Sequence, residues 1–244
     1  MRKNYLIWSL LIVSLFTVQA GKSIAADNYS AVLPGVGSSA TVNTNSYITI
    51  PGASLKSQIT TLPFTFEMSF RPTAKNAYGT IWSDRSQTPI CVLYYDNTNS
   101  YLRFDYGGTS SVVSSVGAVP VLNAWNHVAV TVTATSIKLT LNGVSWSKSG
   151  LTNTAIPFTG TSYIGCDYGG AVNRTITGQV DEIRIWNKSR TEDELNADKF
   201  KSLTGTEPGL VAYYNFDSQN TNDVTANAFN AAAPTDGLTY NNLT

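Results

Sequence analysis

Apolar and polar residues alternate in short stretches along most of this chain, and turn residues separate the stretches. Phe64, Phe66, Met68 and Phe70 alternate with Thr65, Glu67, Ser69 and Arg71. Side chains of a strand repeat every two residues, so the first four share a face. Leu102, Phe104 and Tyr106 form a second such set, and Val128, Val130 and Val132 a third, opposite Trp125, His127, Ala129 and Thr131. Ile137, Leu139 and Leu141 lead into Asn142-Gly143, a strong hairpin signal. Ile183 and Ile185 face one way, with Asp181 in their phase; Glu182, Arg184 and Trp186 face the other. Leu210, Ala212, Tyr214 and Phe216 make a last set. Many short strands of this kind predict an all-β sandwich or barrel. One short helix is expected near 191–203, because Thr191 and Glu194 have capping-box spacing and helix formers follow.

The N-terminus departs from this pattern. Met1-Arg2-Lys3 is cationic, Leu6 to Val18 is almost purely apolar, and small residues follow at Ala20 and Ala25. That order reads as a secretory signal peptide over residues 1–25, with cleavage after Ser23-Ile24-Ala25 preferred over Val18-Gln19-Ala20. The apolar run is about 13 residues, short of the roughly 20 that a membrane-spanning helix needs. The globular domain is expected over 26–217. The Asn- and Ala-rich stretch 218–244 reads as an irregular tail or the opening of a further region.

Removing residues 1–25 subtracts Arg2, Lys3 and Lys22, which leaves 13 basic against 16 acidic residues, a net charge of −3. Nothing in this balance favours nucleic acid, whose phosphates call for a basic excess. Export would place the two cysteines, Cys91 and Cys166, in an oxidising compartment, where an even count favours a disulfide between them over two buried thiols.

The stretch Asn123-Ala124-Trp125-Asn126-His127-Val128-Ala129-Val130 resembles the LamG-like jelly-roll family of the concanavalin A-like lectins and glucanases. Further pieces follow in that family's order: Leu141-Asn142-Gly143, Ile164-Gly165, and Gly178-Gln179-Val180-Asp181-Glu182-Ile183-Arg184-Ile185-Trp186-Asn187. Upstream, Phe64 to Phe70 is similar to its "fT-x-E" strand; downstream, Gly209 to Asp217 is similar to a strand often found after it. The resemblance covers roughly residues 30–217. It implies a two-sheet antiparallel jelly-roll sandwich, an extracellular setting, and carbohydrate-binding, adhesive or accessory roles.

Hydrolysis of a glycosidic bond needs two carboxylates flanking it, about 5–5.5 Å apart for retention. No strand here carries two acidic residues on one face: Glu67 has Ser69 and Arg71 beside it, and Glu182 has Arg184 and Trp186. Carboxylates from separate strands could still converge. His127 is the only histidine, and its in-strand position reads as structural. Sugar binding calls for exposed aromatic platforms. Tyr78, Trp82, Tyr106 and Tyr168, in or beside turns, are the candidates, each set against simple core packing. Asp181, in phase with core isoleucines, needs a partner if buried. It reads as a backbone tether at a strand end or as a calcium ligand, with Asp167 and Asp105 of the two Asp-Tyr-Gly-Gly turns as further candidate ligands.

The expected function is thus a secreted, non-catalytic binding or adhesion module for extracellular glycans. The alternatives are a protein–protein interaction or accessory module of a larger extracellular assembly and, less favoured by the carboxylate pattern, a glycoside hydrolase. Expression with export should yield a mature N-terminus at Ala26 by N-terminal sequencing; intact Met1 on the soluble product would refute the signal peptide.

Overall fold

A stack of rings joins the two layers of this protein. Trp82 lies flat on Phe66, centroids 4.6 Å apart at 11°, and also faces Phe104 and Phe158 at 6.1 and 6.0 Å. The structure, a computed structural model, describes residues 29–34, 47–76, 78–85, 90–96, 99–107, 111–152, 155–167, 174–234 and 238–243. The expected signal peptide, with both cleavage sites, and Tyr168 lie outside these residues. One sheet runs β10 (Val144–Ser149), β9 (Ser136–Leu141), β8 (Asn126–Val132), β3 (Phe64–Pro72), β12 (Gly178–Trp186), β1 (Tyr29–Leu33), β14 (Thr239–Asn242), with β13 (Leu210–Tyr214) also on β12. The other runs β2 (Ile48–Pro51), β11 (Thr161–Ile164), β4 (Thr80–Asp84), β5 (Cys91–Asp96), β6 (Tyr101–Tyr106), β7 (Ser111–Ser114). Every strand pairing is antiparallel, and the two sheets form the jelly-roll sandwich that the pattern and the resemblance implied.

The alternating sets sit inside as expected: Phe64, Phe66, Met68 and Phe70 of β3 and Val128, Val130 and Val132 of β8 belong to one buried cluster with Leu93, Leu102 and Phe104. The hairpin between β9 and β10 turns at Asn142 and Gly143, both with positive φ (52° and 91°), as this two-residue turn requires. The Asn142 side chain then accepts from the His127 amide at 2.8 Å and donates to Asn126, whose amide group clamps Val121 and Ala124. Gly178 opens β12 at φ +153°, where a Cβ would fall on the Arg71 carbonyl of β3. The described residues after Asp217 are built in: β14 pairs with β1, and Ala232 exchanges two backbone hydrogen bonds with Thr49 of β2.

Three expectations are corrected. The β12 strand carries a bulge between Asp181 and Arg184, with Glu182 at φ +53°. Two residues, Glu182 and Ile183, oppose the single Met68, so Asp181 pairs with Ser69 on the outer face and leaves the phase of Ile183 and Ile185. A second short helix, α1 (Gly52–Gln58), precedes the expected α2 (Glu192–Asp198). It buries little but Leu55 and has no side-chain cap, so it left no periodic signal. The Cys91–Cys166 bridge is not formed; both cysteines are buried as thiols. Cys91 pairs across to Asp84 on one flank of β4, while the Gly165 amide bonds Ile81 on the other. Two strand spacings, roughly 9–10 Å, exceed the ~7 Å that a disulfide can span. Burial, helped by Asp84, pushes the Cys91 thiol well up, which keeps it protonated.

The middle of the outer face of the larger sheet, over β3 and β12, is covered. α2, held by a complete Thr191–Glu194 capping box, lies with residues 187–203 over a buried polar network. Glu67 accepts from Trp186 Nε1 at 2.7 Å and bonds His127 Nε2 at 2.8 Å. Arg184 donates to Glu182 at 2.6 Å and to the Asp198 and Lys201 carbonyls, and stands 3.9 Å from Glu67. Tyr213 donates to Glu182, and Arg190 stacks on Trp186 and bonds Asp198. Leu210 joins Trp186 and Tyr213 in a small apolar cluster, apart from the Ala212–Tyr214–Phe216 face expected to include it. Two acidic residues from neighbouring strands, Glu67 and Glu182, thus converge on Arg184. They are 0% and 1% exposed, so a glycosidic bond cannot reach them.

Two measurements follow. Trp82→Ala should lower unfolding stability by about 3–5 kcal/mol in denaturant titration, since it removes a fully buried ring in contact with Phe66, Phe104 and Phe158. Burial pushes the Glu67 carboxyl up, but the His127 hydrogen bond and the Arg184 and Arg190 charges more than offset this, so it lies below its ordinary 4.5. A depressed folded pKa contributes stability above the unfolded value and loses it as pH falls through the folded value. Glu67→Gln should therefore cost about 3–5 kcal/mol at pH 7, and the gap from wild type should narrow as pH falls below 4.5.

Candidate functional site

The face left open is the outer side of the six-stranded sheet. Burying Trp82, Leu93 and Phe104 inside turns Val92, Tyr94, Arg103 and Asp105 outward, because neighbours along a strand point to opposite faces. Tyr94 lies opposite Thr80 on β4 and Arg103 on β6. Together with Tyr78, Arg85, Asp167 and Arg174, Thr80, Val92 and Tyr94 line an open groove of about 350 Å³.

Tyr78 is 46% exposed and has φ 54°, a left-handed conformation that a bulky residue adopts only when its surroundings impose it. The turn is held from both sides. Gly79 donates to the Asn76 carbonyl at 3.1 Å, and the Asn76 amide group donates to the Thr175 carbonyl and the Thr177 hydroxyl at 2.9 and 2.8 Å. The rings of Tyr78 and Tyr94 stand 6.1 Å apart at 42°. Arg174 lies over the Tyr78 ring and Arg103 over the Tyr94 ring, each at 5.8 Å. Burial, then the charge of Asp105, pushes the Tyr94 hydroxyl up to about 12, so it remains a hydrogen-bond donor at neutral pH.

Two ion-pair groups frame the rings. Asp167, fully buried, sits 2.6 Å from Arg85 Nε and 2.7 Å from Arg174 Nη1. Asp105 takes Arg103 through both oxygens at 2.7 and 3.2 Å. The structure therefore brings Tyr78, Asp167 and Asp105 to one face. Trp82 and Tyr106 are corrected to the core: both are 0% exposed, Trp82 in the ring stack and Tyr106 donating to the Ala155 carbonyl. Asp181 lies on the other sheet, where it accepts from the Glu182 amide at 2.8 Å across the bulge. It cannot share an ion with Asp105 and Asp167, and both of these face arginines. Among the described residues no group of three or more His, Cys, Asp or Glu side chains is placed to hold a metal.

Sequence reasoning missed Arg85, Arg103 and Arg174. They come from three separate segments, and no local pattern distinguishes them from surface arginines. Tyr94, one of the aromatics close in sequence to the turn tyrosines, alternates with Leu93 and Tyr95, whose burial in the core turns it out.

The chain resembles several solved structures. A Bacteroides ovatus ATCC 8483 protein whose proposed role is carbohydrate binding shares 20% identity, with a TM-score of 0.65 over 88% of this chain and 60% of that one. The chain thus spans about three fifths of that protein. The CBM40 of Ruminococcus gnavus IT-sialidase, solved with α2,3 sialyllactose, shares 15% identity, with a TM-score of 0.53 over 69% and 96%. A heptameric SAP-like pentraxin of Limulus polyphemus shares 16%, with a TM-score of 0.51 over 71% and 82%. At these identities the likeness is one of fold. No curated protein matches the sequence. The laminin G-type family model of the Concanavalin A-like lectin/glucanases superfamily matches residues 42–196, more than half of the chain. With the sandwich and its strand order in place, the chain belongs to that laminin G-type family of concanavalin A-like domains.

Proposed function

We propose that this protein is an exported, non-catalytic carbohydrate-binding module, and that the groove at Tyr78 and Tyr94 is where it takes a glycan. One observation carries the reading: an exposed tyrosine is held in a strained backbone conformation beside a second tyrosine, with arginine and threonine donors around the pair. Sugar rings present C–H faces that pack on aromatic rings and hydroxyls that need fixed donors and acceptors. A site of this kind is concave, partly apolar, and set with a few placed polar groups. Strain at an exposed bulky aromatic is a pointer to function.

Two further points support the reading. Glu67 and Glu182, which converge on Arg184 from neighbouring strands, are buried at 0% and 1% exposure. Structures similar in fold include one with carbohydrate binding as its proposed role and a module solved with sialyllactose. The charge-apolar-small order at the N-terminus supports export, where glycans of other cells or of the surroundings are met. A protein partner is favoured by a different observation. Val116, Val119, Val121 and Leu122 are exposed together beside a small apolar pocket lined by Phe70, Tyr95 and Pro120.

A glycan array followed by titration calorimetry tests the proposal. Tyr78→Ala and Tyr94→Ala should each weaken binding of the glycan hit by about tenfold or more, at 1.4 kcal/mol per decade. Tyr78→Ala should leave stability within about 0.5 kcal/mol of wild type, as surface changes do. Absence of any glycan hit, or hits that ignore both substitutions, would refute it.

A further inference from the structure

We infer that the groove reads charge as well as ring shape, and that its ligand is a sugar carrying a carboxylate, seated at the Arg85–Asp167–Arg174 end. The inference rests on the carbohydrate-binding reading above and narrows its ligand class. The starting point is an imbalance between two neighbouring ion-pair groups. At one end of the groove Arg103 and Asp105 are matched one to one through a bidentate contact, 2.7 Å from Nε and 3.2 Å from Nη2. That pair is neutral, and its fork is already filled. Asp96, buried and bonded to Asn99, adds a further negative charge at that end, so the positive excess is confined to the other.

At the other end two guanidinium groups share the one carboxylate of Asp167, which leaves a formal excess of one positive charge. Arg174 donates to it from Nη1, while Arg85 Nε meets it as an ion pair without hydrogen-bond geometry. The side chains of both remain open to solvent, 27% and 41% exposed, while the Asp167 side chain is 1% exposed. A buried carboxylate with two partly exposed arginines is a fixed mount: it holds the guanidinium groups at a set spacing and leaves further N–H donors to meet a ligand. Planar guanidinium groups take carboxylates in two-point contacts that an ammonium cannot reproduce. Arg174 also covers the Tyr78 ring at 5.8 Å. A sugar packed on Tyr78 would therefore bring a ring carboxylate within reach of Arg174.

The surroundings give this arrangement a specific consequence. With residues 1–25 removed the chain carries a net charge of 13 − 16 = −3. The protein as a whole does not attract anions, so the preference for an acidic sugar arises at the groove and acts at short range. It should show in affinity and ligand choice, with modest dependence on ionic strength compared with a broadly basic surface.

Uronic acids and sialic acids both present this chemistry, and the experiment separates them. Wild type, Arg174→Gln, Arg174→Lys and Arg85→Gln are titrated by calorimetry with oligogalacturonides, oligoglucuronides, 3′-sialyllactose, lactose and neutral homologues of the uronides. Circular dichroism melting confirms that each variant is folded; each single substitution leaves Asp167 one arginine. At least one acidic class should bind about tenfold or more tighter than its neutral counterpart, as expected for a charge-assisted contact. Arg174→Gln should bring that ratio towards one, and Arg174→Lys should recover only part of it, because charge returns without the planar fork. Which acidic class shows the margin identifies the source. Neutral sugars that bind as well as acidic ones, with loss on Tyr78→Ala, would overturn the charge inference and leave the carbohydrate reading standing. An acidic margin that survives both Arg174→Gln and Arg85→Gln would overturn the assignment to this end of the groove. Failure of every sugar, neutral or acidic, would remove both readings together.

Discussion

The packing of Trp82 between the two sheets is the constraint on which the rest of the molecule depends. Its ring lies on Phe66 of β3 and touches Phe104 and Phe158, so one side chain fixes how β3, β4 and β6 face one another. Once Trp82 and Leu93 point inward, the pleat leaves no freedom in the outward set. Tyr94, Val92, Arg103 and Asp105 emerge on the outer face because their neighbours are core. The chemistry of the groove is in this sense a by-product of the inter-sheet contact. A slip of one residue in β5 would bury Tyr94 and expose Leu93.

The two outer faces meet solvent very differently. On the larger sheet Arg184 acts as the hub of a closed polar network, tied to Glu182, to Glu67 and to the carbonyls at the end of α2. A charged group that is buried is tolerable only when paired and hydrogen-bonded. The network supplies those partners to Glu67, Glu182 and Arg184 and so allows the helix segment to lie flat on the sheet. On the six-stranded sheet no helix among the described residues covers the groove, and its arginines are partly solvated. The same residue types thus serve as cement on one side and as an approachable surface on the other.

Backbone irregularities mark where the regular alternation was bent to these ends. The bulge at Glu182 brings Asp181, Glu182 and Arg184 to one face, and the Asp181 carboxylate bonds the Glu182 amide across it. The left-handed turn at Tyr78 does the corresponding job on the groove side, with Asn76 as its brace. Gly178 is needed because β3 passes too close for any side chain. Each departure costs conformational energy, and each sits next to a polar arrangement that regular strands could not have built.

Much of this was legible in the chain itself. Period-two alternation placed Phe64 to Phe70, Val128 to Val132 and Ile183–Ile185 in the core, Asn142-Gly143 marked a hairpin, and Thr191 with Glu194 marked α2, because each of these signals is local. Alternation fails where one residue is inserted, so Asp181 was assigned to the wrong face. It also cannot tell an aromatic that fills the space between sheets from one that meets solvent, which is why Trp82 and Tyr106 stood beside Tyr78 as equals. The cysteines looked like a pair by count alone, until strand order set β4 between them. Arg85, Asp167 and Arg174 come together only because the segments that follow β4, follow β11 and precede β12 meet on the smaller sheet. Contacts between residues so far apart in sequence depend on strand order and register, and those are properties of the packed sandwich that no single segment contains.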